Sequence, residues 1–237
     1  MTARGTVLAL NRWPVKSMGG EPVATFALDR DGVAGDRAHV LYDVHRGAPR
    51  QLTARQVPRL LAWDATYPNW DGTVGQTAPA TLTAPDGTRH AWDDPELPAR
   101  LAEDLGRPVT LCVDARGRPD LRESILVTTR ASHEAIEQEL GRTLDRRRWR
   151  TNVHVELDAR AFAEEHWEGR TLRIGEATLE LLHPCARCVI PARDPDTQEK
   201  AADLLRHLTR AHGGLFGINA RAHGPARIRV GDPATIF

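Results

Sequence analysis

The sequence predicts a mainly β fold with a few helices between the strands (α+β), and three observations carry that reading. Short alternating apolar runs recur at regular spacing, and turns rich in Gly and Pro separate them, which is the patterning of a β-barrel. There is no regular strand–helix–strand alternation and no Gly-rich nucleotide loop, so dinucleotide and P-loop folds have no support. The apolar fraction, 41% of 237 residues, is enough for a substantial core.

The elements follow in order. Gly5 to Trp13 reads as a strand ended by Pro14, Val23 to Leu28 as a second and His39 to Asp43 as a third. Ala80 to Trp92 reads as a hairpin around Pro85-Asp86-Gly87. A helix is expected from Pro95 to Leu105, with Asp94 as its N-cap and Leu97, Leu101 and Leu105 on one face. Ile125 to Thr128 is a strand, and Ser132 to Leu140 a helix stopped by Gly141. Val153 to Leu157 is a strand, with Asp158 capping a short helix through Glu165. Thr171 to Ile174 and Ala177 to Leu182 form strands around Gly175. A helix is expected from Asp196-Thr197 to His212, stopped by Gly213-Gly214. Ile228 to Val230 and Ala234 to Phe237 close the chain as strands.

Composition narrows the function. Basic and acidic residues balance at 32 each, so neither nucleic acid nor an anionic membrane is an expected partner. No apolar run of membrane-spanning length occurs, and the N-terminus has no hydrophobic signal core, so cytoplasmic residence is expected. Three cysteines (Cys112, Cys185 and Cys188) are too few for a disulfide framework. Only Lys16 and Lys200 are lysines, and both sit in motifs that read otherwise, so no pyridoxal phosphate site is expected; no glycine fingerprint suggests NAD.

Cys185 and Cys188 form a Cys-x-x-Cys pair with three chemical readings. It is half of a zinc site, needing His183 and Cys112 to join it, or a thioredoxin-type pair, which should open a helix. Otherwise one thiolate binds a soft metal or carries sulfur, with Arg187 stabilising it beside Cys188. Two buried cysteines without chemistry are the plain alternative. Lys16-Ser17-Met18-Gly19-Gly20 sets a cation, a hydroxyl and a flexible turn together after a strand, as an anion cradle would; a solvated turn has the same composition. Gly35-Asp36-Arg37 and Thr53-Ala54-Arg55-Gln56 read the same two ways. Arg146 to Arg150, all arginine but for Trp149, is an exposed basic loop or a phosphate clamp.

The order of motifs is more specific than any one of them. Trp13-Pro14-Val15-Lys16-Ser17, Gly35-Asp36-Arg37, Leu52-Thr53-Ala54-Arg55-Gln56, Arg148 to Val153, Pro184-Cys185-Ala186-Arg187-Cys188, Asp194-Pro195-Asp196-Thr197, and Leu215-Phe216-Gly217 with Val230-Gly231-Asp232-Pro233 resemble the MOSC family. Within it they are most similar to the branch with an N-terminal β-barrel module, which includes the mitochondrial amidoxime-reducing component. The resemblance implies a MOSC β-barrel core packed with an N-terminal β-barrel-like module, here divided as 1–80 and 81–237. It implies molybdenum cofactor (Mo-molybdopterin), with Cys188 as metal ligand and catalytic residue. Lys16, Ser17, Arg37, Arg55, Ser124, Arg150 and Asn152 match positions expected around the pterin and its phosphate. The activity implied is reduction of an N-hydroxylated small molecule by oxygen-atom transfer to the metal. The alternative is a sulfur carrier or cofactor-handling protein passing a Cys188 persulfide. With three cysteines the chain cannot build a plant-type iron–sulfur site, so an external ferredoxin-like or cytochrome partner is expected to supply electrons. Two departures stand out: Thr151 where the family commonly has Pro, and Gln198 where it commonly has Gly after the Asp-x-Asp-Thr run. The interval from Tyr67 to Ser124 is also short for the amidoxime-reducing members.

Overall fold

The computed structural model describes residues 2–29, 31–68, 70, 72, 78–113 and 125–237. In chain order the strands are β1 (Ala3–Arg12), β2 (Glu21–Val23), β3 (Thr25–Asp29), β4 (Gly32–Val33), β5 (His39–His45), β6 (Ala48–Gln51), β7 (Asp64–Thr66), β8 (Thr81–Thr83), β9 (Arg89–Ala91), β10 (Thr110–Val113), β11 (Ile125–Thr129), β12 (Val153–Leu157), β13 (Thr171–Ile174), β14 (Ala177–Ala186), β15 (Leu215–Ala222), β16 (Ala226–Arg229) and β17 (Pro233–Ile236). The α-helices are α1 (Leu97–Leu105), α2 (Arg130–Leu140) and α3 (Ala202–Ala211). The fold is mainly β, as expected.

Its centre is a closed seven-stranded barrel. The strands run β12-β11-β15-β14-β13-β17-β1, and β1 pairs back onto β12, so no edge is left open. Only β11 and β12 are parallel, because α2 crosses between them; the other barrel pairings are antiparallel. Alternation fills the interior: Val153 and Val155, Leu172 and Ile174, Leu179 and Leu181, and Ile218 and Ala220 all bury inward at period two. A second core spans Val15 to Leu105, where α1 and the small sheets β10-β5-β6 and β7-β8-β9 enclose Trp63, Leu82, Leu97 and Leu101. A third, smaller core lies under α2 and α3, where Trp149 stacks on Phe216 with ring centroids 3.9 Å apart. Among the described residues no helix is long and apolar enough to cross a membrane.

Several elements differ from expectation, each for a local reason. The run from Val23 to Leu28 is two strands, because the chain changes sheets at Ala24: β2 pairs with β1, and β3 with β16. The α1 helix starts at Leu97, since Asp94 instead accepts the Glu96 N–H in a preceding turn. The α2 helix starts at Arg130 rather than Ser132, because the Thr129 hydroxyl caps it by accepting the Ser132 N–H. Asp158 accepts the Arg4 N–H rather than capping a helix, and only a turn of 3-10 helix forms at Ala163–His166. The helix expected from Asp196 starts at Ala202, because the Asp194 carboxylate holds the N–H groups of Asp196 and Thr197 in a turn, each at 3.0 Å. The sequence reading gave no strand at β15, although Phe216, Ile218, Ala220 and Ala222 alternate inward.

Gly217 explains why β15 is irregular. It adopts φ +75, and a Cβ there would lie 2.8 Å from the Val127 carbonyl oxygen and from the Thr128 methyl carbon. Only glycine lets β15 approach β11 so closely. The register between β14 and β15 shifts on both sides of Pro184, and that bulged end carries Cys185.

Candidate functional site

Six of the sequence-predicted site residues, Lys16, Ser17, Arg37, Arg55, Arg150 and Cys188, line one open cleft of about 400 Å³. They come from five distant segments that the barrel and the second core bring together. Cys185, Arg187, His183 and Asn219 line it too, and none of these four had been assigned to a cofactor pocket. Asn219 belongs to the unforeseen β15; its amide nitrogen lies 3.3 Å from His183 Nδ1. Asn152 is not in the cleft. It is fully buried, its Oδ1 accepting from the Leu126 N–H (3.1 Å) and its Nδ2 donating to the Asn11 carbonyl (3.3 Å). Ser124 falls outside the described residues.

The cleft is backed by unusual backbone. Ser17 (φ 69), Arg37 (φ 52) and Arg150 (φ 54) are non-glycine residues in the left-handed region, and all three line it. Each such residue costs on the order of 1–2 kcal/mol, so the surrounding structure must hold it there. The Lys16 N–H donates to the His39 carbonyl (3.0 Å), the Arg37 N–H to the Trp13 carbonyl (2.7 Å) and the Arg150 N–H to the Arg147 carbonyl (3.1 Å).

The electrostatics favour an anion. Five cations line the cleft (Lys16, Arg37, Arg55, Arg150 and Arg187), and among the described residues none that lines it is a carboxylate. Arg37 is ion-paired with Asp36 at the edge of this group. Arg150 is buried; it donates to the Met18 carbonyl and packs its guanidinium 4.3 Å from the centre of the Trp13 ring. Its Nη2 is buried without a hydrogen-bond partner. Burial pushes this guanidinium down to about 9, and the neighbouring Arg37 charge adds to the effect. A buried cation with an unused donor, beside other cations, is an arrangement that an oxyanion would complete.

The cysteines sit at the far wall. The sequence reading placed Arg187 as the cation for Cys188, but its guanidinium donates to Cys185 Sγ (3.2 Å) and to the Trp149 carbonyl (2.7 Å). All three cysteines are free thiols. A zinc site does not assemble around the pair: among the described residues the one group with metal-like spacing is Glu139, His207 and His212, and Cys112 lies in β10 against β5. Nor does the pair open a helix, because Ile190–Ala192 makes one turn of 3-10 helix.

The arginine run divides its labour. Arg147 pairs with Asp145 and Asp196, and Arg148 reaches Asp194 (2.6 Å) and the Pro191 carbonyl (3.2 Å), so both pin loops rather than clamp a phosphate. Of the run, only Arg150 and Trp149 line the cleft. Gln198 has φ 63, which explains why glycine suits that position; its amide compensates by donating to the carbonyls of Leu61 (3.1 Å) and Pro195 (2.9 Å).

Thr151 takes part in a buried polar chain. Its hydroxyl lies 3.1 Å from that of Thr128, which lies 2.9 Å from His154 Nδ1. Burial holds His154 down to about 3, so it is neutral in the folded protein at ordinary pH. Below the normal histidine value of 6.5 the unfolded chain takes up a proton that the folded chain refuses, so stability falls as pH drops from 6.5 towards 3. Between pH 7 and 5 this group alone should remove about 2 kcal/mol. Urea titrations of the protein and of His154→Gln are expected to show that extra acid sensitivity only with the histidine present; parallel pH profiles would refute it.

Comparison with known proteins shows the family. The model of the MOSC N-terminal beta barrel domain matches residues 4–104, and that of the MOSC domain matches residues 104–235. No curated protein matches the sequence. Among solved structures, the YuaD protein from Bacillus subtilis is 16% identical over 100% of this chain and 96% of its own, with a TM-score of 0.52, a likeness of fold. YiiM from Geobacillus stearothermophilus is also 16% identical, over 49% of this chain and 55% of its own, with a TM-score of 0.40.

Proposed function

The chain belongs to the MOSC domain family, known to bind molybdenum cofactor, and from that premise we propose that the cleft around Cys188 holds this cofactor and reduces N-hydroxylated compounds. The observation that carries the reading is the buried, unpartnered Nη2 of Arg150 in a cleft lined, among the described residues, by five cations, two free thiols and no carboxylate. The donor set fits the group. Arg150, Arg37 and Lys16 offer charge-assisted donors to a phosphate, Ser17 adds a hydroxyl, and Arg55 stands at the exposed mouth. Cys188 offers the soft thiolate such a metal centre takes. Asn152 supports from behind: by holding the Leu126 N–H and the Asn11 carbonyl it fixes the wall on which Leu126 lines the cleft.

When bound, the cofactor supplies the two-electron oxygen-atom chemistry. The overall change breaks an N–O bond, consumes two electrons and two protons, and releases water. His183 also lines the cleft, with Nδ1 3.3 Å from the Asn219 amide nitrogen, and would be a candidate proton donor for the release of water. The electrons come from a separate ferredoxin-like or cytochrome protein, since three cysteines supply no second redox centre.

The test is an anaerobic assay of protein made in a cofactor-competent host, with molybdenum measured in the same sample. Benzamidoxime is expected to be reduced with reduced viologen dye and not with NADH alone. Turnover with NADH alone would overturn the electron path. A molybdenum-free protein carrying a persulfide on Cys188 would overturn the reductase in favour of sulfur transfer.

A further inference from the structure

A second groove, of about 620 Å³, opens beside the Cys188 cleft. The two are adjacent: Arg55 lines both, and Val189, half exposed in the groove, directly follows Cys188. Part of the groove lining is apolar: Pro58, Leu61, Val189 and Leu205. Arg55, Arg193, Lys200, Arg206 and Arg210 line it as well, and among the described residues no carboxylate does. In a chain whose charges balance at 32 each, this is a local arrangement rather than a consequence of composition.

The helix α3 shows how it arises. Leu204 and Leu208 point into the third core. On the side towards α2, Asp203 pairs with Arg142 (2.7 Å) and His207 with Glu139 (2.6 Å). On the remaining side, Leu205, Arg206, Thr209 and Arg210 face the groove, and neither arginine has a carboxylate partner among the described residues. The helix therefore spends its acidic residue away from the groove and leaves two guanidinium groups, four residues apart, in the groove with its apolar lining.

We propose that this groove binds a small amphipathic anion, an apolar body ending in an oxyanion such as a carboxylate, and that it holds this body next to Cys188. The apolar body covers the apolar lining, and the oxyanion meets Arg206 and Arg210, whose planar forks match it. The groove volume lies within the roughly 300–1,000 Å³ of small-molecule clefts. Its concavity favours a small ligand over a protein partner, whose interface buries roughly 1,200 Å² or more. The inference rests on the proposed function only in making this anion the substrate class; the binding itself requires no molybdenum.

The experiment titrates 1-pyrenebutyrate into the full chain and follows pyrene anisotropy, with the neutral 1-pyrenebutanol as the paired probe. One saturable site for the butyrate is expected, with much weaker binding of the alcohol. Arg206→Glu/Arg210→Glu should lose at least about tenfold in affinity, and Arg206→Gln/Arg210→Gln less. Arg89→Glu/Arg227→Glu, which alters net charge equally at exposed strand positions, should bind as the unaltered protein does. Equal binding of both probes, non-saturating uptake, an equal loss in the Arg89/Arg227 variant, or unchanged binding in both groove variants would each overturn the proposal. Molybdenum content is read on the same preparations. A normal metal content without butyrate binding defeats this proposal alone, and butyrate binding in protein that never acquires molybdenum defeats the cofactor reading alone.

Discussion

Cys188→Ser is expected to remove molybdenum from the purified protein and to lower dye-driven reduction of benzamidoxime by at least about a hundredfold. A serine hydroxyl stays protonated at neutral pH and is a hard oxygen donor, so it cannot replace a soft thiolate. The fold should survive the change. Cys188 is only partly buried, lies outside the strands and is not disulfide-bonded, so thermal stability should move by less than about 0.5 kcal/mol. Two controls sharpen the result. Cys112→Ser, in β10 on a different sheet, should keep metal and turnover. Cys185→Ser removes the group that accepts from Arg187, so it should disturb the cleft without deleting the proposed ligand. Full metal content and full turnover in Cys188→Ser would end the assignment, and an identical loss in Cys112→Ser would point to general thiol damage.

How far the sequence alone reached depended on whether a residue's task was local. The barrel strands at Val153–Leu157 and Thr171–Ile174 were legible because inward and outward positions alternate in the letters themselves. β15 escaped although Phe216, Ile218, Ala220 and Ala222 alternate, because Gly217 near its start and two alanines among the four give the run little β-propensity; yet that glycine is what lets the strand pack. The ordered motifs indicated the family, and six of the eight residues read from them do meet in one cleft. The exceptions are instructive. Asn152 sits beside the arginine run in sequence, yet its amide is consumed by backbone groups of Leu126 and Asn11, and nothing in local sequence indicates that. Arg147 and Arg148 look equivalent to Arg150, but Asp194 and Asp196 claim them, and those carboxylates are distant in sequence. The left-handed backbone at Ser17, Arg37 and Arg150 was equally hidden, since sequence patterns flag glycine for such positions and not arginine.

Arg150 carries the second large effect, and the structure changes what its replacement should do. From sequence it resembled an exposed phosphate contact; in the fold it is buried, so truncation to alanine would open a cavity and confuse packing with binding. Arg150→Met keeps most of the volume and removes the charge. Two terms then oppose each other in the ligand-free protein. Losing the charged donor to the Met18 carbonyl costs about 1.5–3 kcal/mol. Against this, the guanidinium itself is strained by burial and by Arg37, which is why it is pushed down to about 9. Between that value and the ordinary arginine value the unfolded chain binds more proton, so stability rises with pH there; below about 9, where the protein works, the full penalty is present. Removing the charge relieves that penalty, so the ligand-free melting temperature should fall by less than the lost hydrogen bond alone would cause, or not fall at all. Binding has no such offset. Inorganic phosphate is expected to stabilise the unaltered protein progressively, by about 2.7 kcal/mol at a hundred times its dissociation constant, and to leave Arg150→Met unmoved. Retention of cofactor, read as pterin fluorescence after oxidation, should fall roughly tenfold to over a hundredfold. Arg150→Lys, which keeps a point charge without the fork, should fall between the two. If Arg150→Met melts as the original does, responds to phosphate and keeps its pterin, the buried guanidinium is a structural strut and the anion site lies elsewhere in the cleft.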